Sequence, residues 1–166
     1  MLRYPYTINL DADGAFLVVV EGIPGAFTAS RSLEEARDMA LDVALTMLSA
    51  MMDDAEDIPD PPAPESGQSA FIDIPPMQEM KLAVYQAMRR QGISQVRLAA
   101  ILRTDPKSVR RLLDLFHASR WDHLEMALEV LGYRAGVTIE PAPEYSGKEV
   151  AKRLAGALGA DYKVFL

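Results

Sequence analysis

The chain opens on alternation of apolar and polar positions. Residues 3–10 (RYPYTINL) and 15–20 (AFLVVV) carry aromatic and β-branched side chains at the spacing of strands. Asp11-Ala12-Asp13-Gly14 between them ends in the Asp-Gly pair that favours a hairpin. Ile23-Pro24-Gly25 makes a second turn, and residues 26–29 a short third strand. The period then changes to helical. Leu33, Ala36, Ala40, Val43, Ala44, Met47, Leu48 and Met51 recur at intervals of three and four, which predicts one long helix ending near Met52. Ser32 and Glu35 stand at capping-box spacing at its start. Residues 53–70 hold four prolines and no period, and read as a loop or flexible connector. Residues 71–74 predict one more strand before Pro75-Pro76.

The second half is helical in pattern. A helix is expected from about Met77 to Gln91, with Met80, Val84, Ala87 and Met88 inward and Gly92 as its stop. Ser94–Asp114 (SQVRLAAILRTDPKSVRRLLD) reads as two short helices joined by a tight turn. Ser94 caps the first helix, whose inward face carries Leu98, Ile101 and Leu102. Asp105 caps the second, and Pro106 suits its first position because a proline there forfeits no helical hydrogen bond. Val109, Leu112 and Leu113 point inward, leaving Lys107, Ser108, Arg110 and Arg111 outside. This is the pattern of a helix-turn-helix with a basic second helix, and it implies DNA as a partner. A further helix is expected from Asp122 to Leu131. Beyond it, residues 137–139 suggest a strand, 146–158 a helix and 162–166 a terminal strand.

Charge divides the chain where the pattern does. Residues 1–74 carry fourteen acidic side chains against three basic ones, a net of −11, whereas residues 75–135 carry ten basic against six acidic, a net of +4. The net charge of −7 over all 166 residues therefore averages two bodies of opposite character. An acidic front half suits a basic partner and a positive second half suits phosphate. With no cysteine, disulfides, thiolate metal sites and thiol nucleophiles are excluded. No apolar run approaches the roughly 20 residues that span a bilayer. A cytoplasmic location without membrane attachment is expected.

The order of these elements and their local wording resemble HicB-type antitoxins of bacterial toxin–antitoxin pairs. The matching pieces are the opening strand, the Asp-x-Asp-Gly hairpin followed by an aromatic residue, and the Ile23-Pro24-Gly25 turn. Thr28, the Ser32, Glu35 and Ala36 helix start, the proline-containing loop and the strand FIDIP complete them. The resemblance covers roughly residues 1–139. It implies an α+β protein. Residues 1–75 would form a partial RNase H-like β-β-β-α-β domain that blocks a small basic RNase, HicA, which cleaves RNA with a histidine. Residues 76–139 would form an Xre or phage-repressor-like helix-turn-helix domain that binds the operator of its own operon as a homodimer or higher oligomer. Residues 140–166 are then a C-terminal extension.

For DNA, the residues singled out are Gln95, Arg97, Arg103, Thr104, Asp105, Lys107, Ser108, Arg110 and Arg111, with Arg120 as a further backbone contact. Gln95 resembles the glutamine that holds phosphate in phage-repressor-like domains, and Ala99 the small residue at the helix crossing. Arg103 departs from them, because glycine is usual there and a side chain must accept a left-handed backbone. For the toxin, the candidates are the α-helical stripe Glu35, Asp38 and Asp42 and the turn residues Asp11 and Asp13. Clustered carboxylates can also hold catalytic metals. Asp11 and Asp13 serve a bend better, and the stripe reads as a surface for a basic partner. His117 and His123 have no companion at triad or zinc spacing. No enzyme, metal or cofactor is therefore expected. A different class, a free-standing transcription regulator with a ligand-sensing N-terminal domain, would need no basic protein partner.

Overall fold

The computed structural model of the chain describes residues 1–63 and 70–138. The protein is α+β. β1 (Arg3–Leu10), β2 (Phe16–Val20) and β3 (Phe27–Ser30) are followed by α1 (Leu33–Asp53) and β4 (Ala70–Asp73). Four helices then succeed one another: α2 (Pro76–Gln91), α3 (Gln95–Ile101), α4 (Pro106–Leu113) and α5 (Trp121–Val130). The strands form one sheet in the order β3-β2-β1-β4, antiparallel throughout. Residues 1–135 make one compact unit. The expected helix at 146–158, the strand at 162–166 and the end of the one at 137–139 lie outside the described residues, as do positions 64–69 of the proline loop.

Alternation in the strands decides which face meets α1. Tyr4, Tyr6, Val18, Val20 and Ile72 are buried on the helix side. Opposite them α1 presents Ala36, Ala40, Ala44 and Leu48, all fully buried. Alanine at every fourth position lets the helix backbone settle close to the sheet, where a longer side chain would hold it off. Leu33, expected inward, is instead 45% exposed in the first turn of α1. The capping box forms by half. Ser32 Oγ accepts from the Glu35 amide at 3.2 Å, but Ser30 Oγ takes the Ser32 amide and also donates to the Glu35 carboxylate at 3.0 Å.

The proline-rich connection is tied down over its described part, so the expectation of flexibility does not hold for residues 54–63. Tyr4 Oη donates to the Pro59 carbonyl at 2.5 Å and Tyr85 Oη to the Glu56 carbonyl at 2.6 Å. Ile58 is buried, and Pro62 sits against Gly22 so closely that a Cβ there would lie 2.4 Å from its ring. The connection from the end of α1 returns the chain so that β4 runs antiparallel to β1, rather than parallel as a short βαβ crossover would leave it.

α2 is buried almost all round and forms the axis of the helical part. Its apolar contacts include Met80, Leu82, Val84, Ala87 and Met88. Lys81 is fully buried among them, and Lys81 Nζ donates to the carbonyls of Asp114 and His117. Burial pushes the Lys81 ammonium below its ordinary pKa, while the Asp114 carboxylate pulls it back up. Gln78 donates to the Leu115 carbonyl at 3.1 Å and Gln91 to the Leu131 carbonyl at 2.6 Å. Three polar side chains of one helix thus satisfy loop carbonyls that no ladder reaches.

Candidate nucleic-acid interface and acidic surfaces

α3 and α4 begin and end where local chemistry requires. Ser94 Oγ accepts from the Arg97 amide at 3.2 Å. Asp105 accepts from the Ser108 amide at 2.9 Å and from Ser108 Oγ at 2.7 Å, so both of its carboxylate oxygens serve the start of α4. The Ser108 hydroxyl holds the Asp105 carboxyl below the usual carboxylate range. Leu98 and Ala99 of α3 pack on Val109 and the α4 side, all nearly or fully buried, and the small Ala99 permits the crossing. Ile101, expected inward, is 38% exposed, and Leu102 is only partly covered. Between the helices Arg103 adopts φ +54°, the left-handed backbone that glycine would take without strain.

The basic residues fall on two sides of this pair. Gln95, Lys107, Arg110 and Arg111 line a cleft of about 400 Å³, closed on its far side by Ser49, Met52 and Asp53 from the last turns of α1. Tyr85, Leu113 and Asp114 complete it. Arg103, Thr104 and Ser108 instead border a groove of about 360 Å³ with His123 and Met126 of α5. Arg97 is exposed on α3 and borders neither opening. Arg110 and Arg111 lie in the last turn of α4, where the helix dipole favours cations. Arg120 is engaged elsewhere, forking onto Asp122 at 3.0 and 2.6 Å.

The acidic candidates stand apart from one another. Glu35, Asp38 and Asp42 are exposed on the outer face of α1. Asp11 and Asp13 are exposed at the β1–β2 turn. Asp11 Oδ1 accepts from the amides of Asp13 and Ala15 at 2.9 and 2.8 Å, which is turn-forming work. Among the described residues no group of three or more acidic or histidine side chains is placed to hold a metal ion.

Lys81, Gln78 and Tyr85 position this site but carry no motif. The one available signal is that Lys81 falls on the inward arc that Met80, Val84 and Met88 define on α2. No helix of the described residues is long and apolar enough to cross a membrane.

Comparison with known proteins gives consistent matches. Residues 3–83 match the family described as HicB-like antitoxin of bacterial toxin–antitoxin system. Antitoxin HicB of Pseudomonas fluorescens (strain Pf0-1) is 32% identical over 142 residues, covering 86% of this chain and 97% of that protein. Antitoxin HicB of Escherichia coli (strain K12) is 30% identical over 131 residues, covering 79% and 94%. Antitoxin HicB 2 of Photorhabdus laumondii is 30% identical over 131 residues, covering 79% and 91%.

Proposed function

The chain belongs to the HicB family of antitoxins, and from that membership we propose that it neutralises a small basic, HicA-like mRNA-cleaving RNase and represses its own operon by binding operator DNA as a dimer. Residues 1–75 act as the RNase H-like toxin-binding domain and residues 76–139 as the helix-turn-helix domain. The observation that carries the DNA half is α4. It is stapled at its start by Asp105 and Ser108, buried along Val109, Leu112 and Leu113, and basic at Lys107, Arg110 and Arg111 on the opposite side.

Such a helix suits a major groove. Arg110, Arg111 and Lys107 can reach guanine edges or phosphate, and Gln95 at the start of α3 can hold a phosphate beside them. Asp105 and Ser108 act mainly through the cap that fixes the helix, and Arg97, Arg103 and Thr104 meet the backbone. Two copies with α4 helices about 34 Å apart would match successive turns of a pseudo-palindromic operator. The acidic front half, at −11 over residues 1–74, supports a basic toxin as its partner.

The test is copurification from the native operon, followed by operator gel shifts. A small basic protein encoded beside this chain is expected to copurify and to lose RNase activity in the complex. Arg110→Glu with Arg111→Glu is expected to abolish the gel shift while leaving that inhibition intact. Absence of any such partner would favour the free-standing regulator instead, and a surviving shift would move the DNA-reading element away from α4.

A further inference from the structure

The sheet has two faces, and among the described residues α1 covers one. On the other, the alternate positions line up in rows: Thr7, Val19 and Phe27 across three strands, then Asn9, Leu17 and Ala29, with Phe71 beside Pro5. An antiparallel sheet open to water on one side ordinarily carries polar residues there. This one carries Leu17, Val19, Phe27, Ala29 and Phe71, and Phe27 is 64% exposed, Phe71 45% and Leu17 37%.

Among the described residues the strand that bears Phe27 is also an edge, since β3 pairs there only with β2. Natural edges are blunted by charge, proline or a bulge, and Phe27–Ser30 (FTAS) contains no charge and no proline. An apolar patch beside an open strand edge is the surface of a protein-binding site.

Charge selects the occupant. The face itself is nearly neutral, because Arg3 and Asp73 pair across it at 2.6 Å. Asp11 and Asp13 stand at the hairpin end, next to the Asn9–Leu17 row. The surrounding residues 1–74 carry −11. A second copy applying this same face would bring its own negative residues 1–74 against these and be repelled, whereas a basic protein is drawn in.

We propose that the outer sheet face centred on Phe27 and Leu17, together with the free edge of β3, is where the basic RNase toxin docks. This rests on the toxin-neutralising reading above and changes where it acts. The stripe Glu35, Asp38 and Asp42 lies on α1, on the other side of the sheet, so it steers approach and does not form the contact.

The experiment uses the full chain and the HicA-like RNase copurified from its operon, inactivated at its catalytic histidine. Leu17→Ser with Phe27→Ser is expected to weaken toxin binding by about 100-fold, as loss of a central apolar anchor does. Both positions face solvent, and an unchanged circular dichroism spectrum checks the fold. Neutralising Glu35, Asp38 and Asp42 to Gln, Asn and Asn is expected to change affinity by less than about 10-fold, through the association rate. In the parent complex, amides 27–30 are expected to gain protection from hydrogen exchange. Binding of the double variant within about threefold of the parent, with no protection at 27–30, overturns the proposal. So does a change in the free chain's mass by light scattering in the double variant, which makes the face a contact between copies. A parent chain that binds no RNase would instead sink the antitoxin reading itself.

Discussion

The two parts of this molecule solve the problem of buried backbone differently. In the sheet part, β1 to β4 satisfy one another's amides and carbonyls, and α1 needs only a smooth alanine ridge to lie against them. In the helical part the loops between short helices have no ladder, so α2 spends Gln78, Lys81 and Gln91 on their carbonyls. The sheet part can therefore leave acidic side chains such as Asp38 and Asp42 solvated at the surface, available to a partner. Short helices cannot be placed without polar side chains committed to holding them.

The comparison is broken most directly at Lys81. Lys81→Met keeps the length and removes the ammonium, leaving the Asp114 and His117 carbonyls without their donor. A loss of about 3 kcal/mol in denaturant unfolding is expected. A loss below about 1 kcal/mol would mean that apolar packing alone places the end of α4.

In the sheet part a comparable polar tie runs from Tyr4 to Pro59. Burial, with Asp60 nearby, raises the Tyr4 pKa from 10.0 to about 12. The folded state keeps this phenol protonated while the unfolded chain ionises, so its contribution is whole below pH 10 and is lost as pH rises from 10 to 12. That loss reaches about 2 kcal/mol. Tyr4→Phe is expected to cost about 1 kcal/mol at neutral pH and to show a shallower decline above pH 10. Lys81, with its lowered pKa, moves stability the opposite way in alkali, so the parent and Tyr4→Phe must be compared over the same range. Equal slopes would leave Tyr4 out of the alkaline transition.

A smaller effect is expected at the turn before α4. Arg103→Gly relieves the positive φ and should stabilise by about 0.5–1 kcal/mol, net of the added freedom of the unfolded chain. Its measurable sign is a rise in thermal midpoint. A fall would mean that the Arg103 side chain contributes more than its backbone costs. Smallest of all, Asp38→Asn with Asp42→Asn should leave stability within about 0.5 kcal/mol, since both are solvated on α1.

Much of this was legible in the sequence because it is local. The Asp-Gly hairpin, the Ser94 and Asp105 caps, Pro106 at the first position of α4 and the left-handed Arg103 each depend on a few neighbouring residues. Misreadings came where distant chain decided the matter. Glu35 was assigned to its own cap, but Ser30 from β3 takes its carboxylate and fills the place at the Ser32 amide. The proline loop had no period, yet two tyrosines, one from β1 and one from α2, hold it in place. Lys81 showed only as a charge on an apolar arc, because its partners lie some thirty residues further on. The separation of Gln95, Lys107, Arg110 and Arg111 from Arg103, Thr104 and Ser108 into different openings likewise depends on α1 and α5, which no motif describes.

The alanine ridge of α1 carries a consequence for how this protein tolerates change. Ala36, Ala40 and Ala44 touch the sheet at zero exposure, while Arg37, Asp38 and Asp42 between them touch water. A saturating mutational scan of the helix would therefore read as a comb with teeth every four residues. At each tooth even a single added methyl group would be rejected, and at the exposed positions Arg37, Asp38 and Asp42 almost any residue would pass.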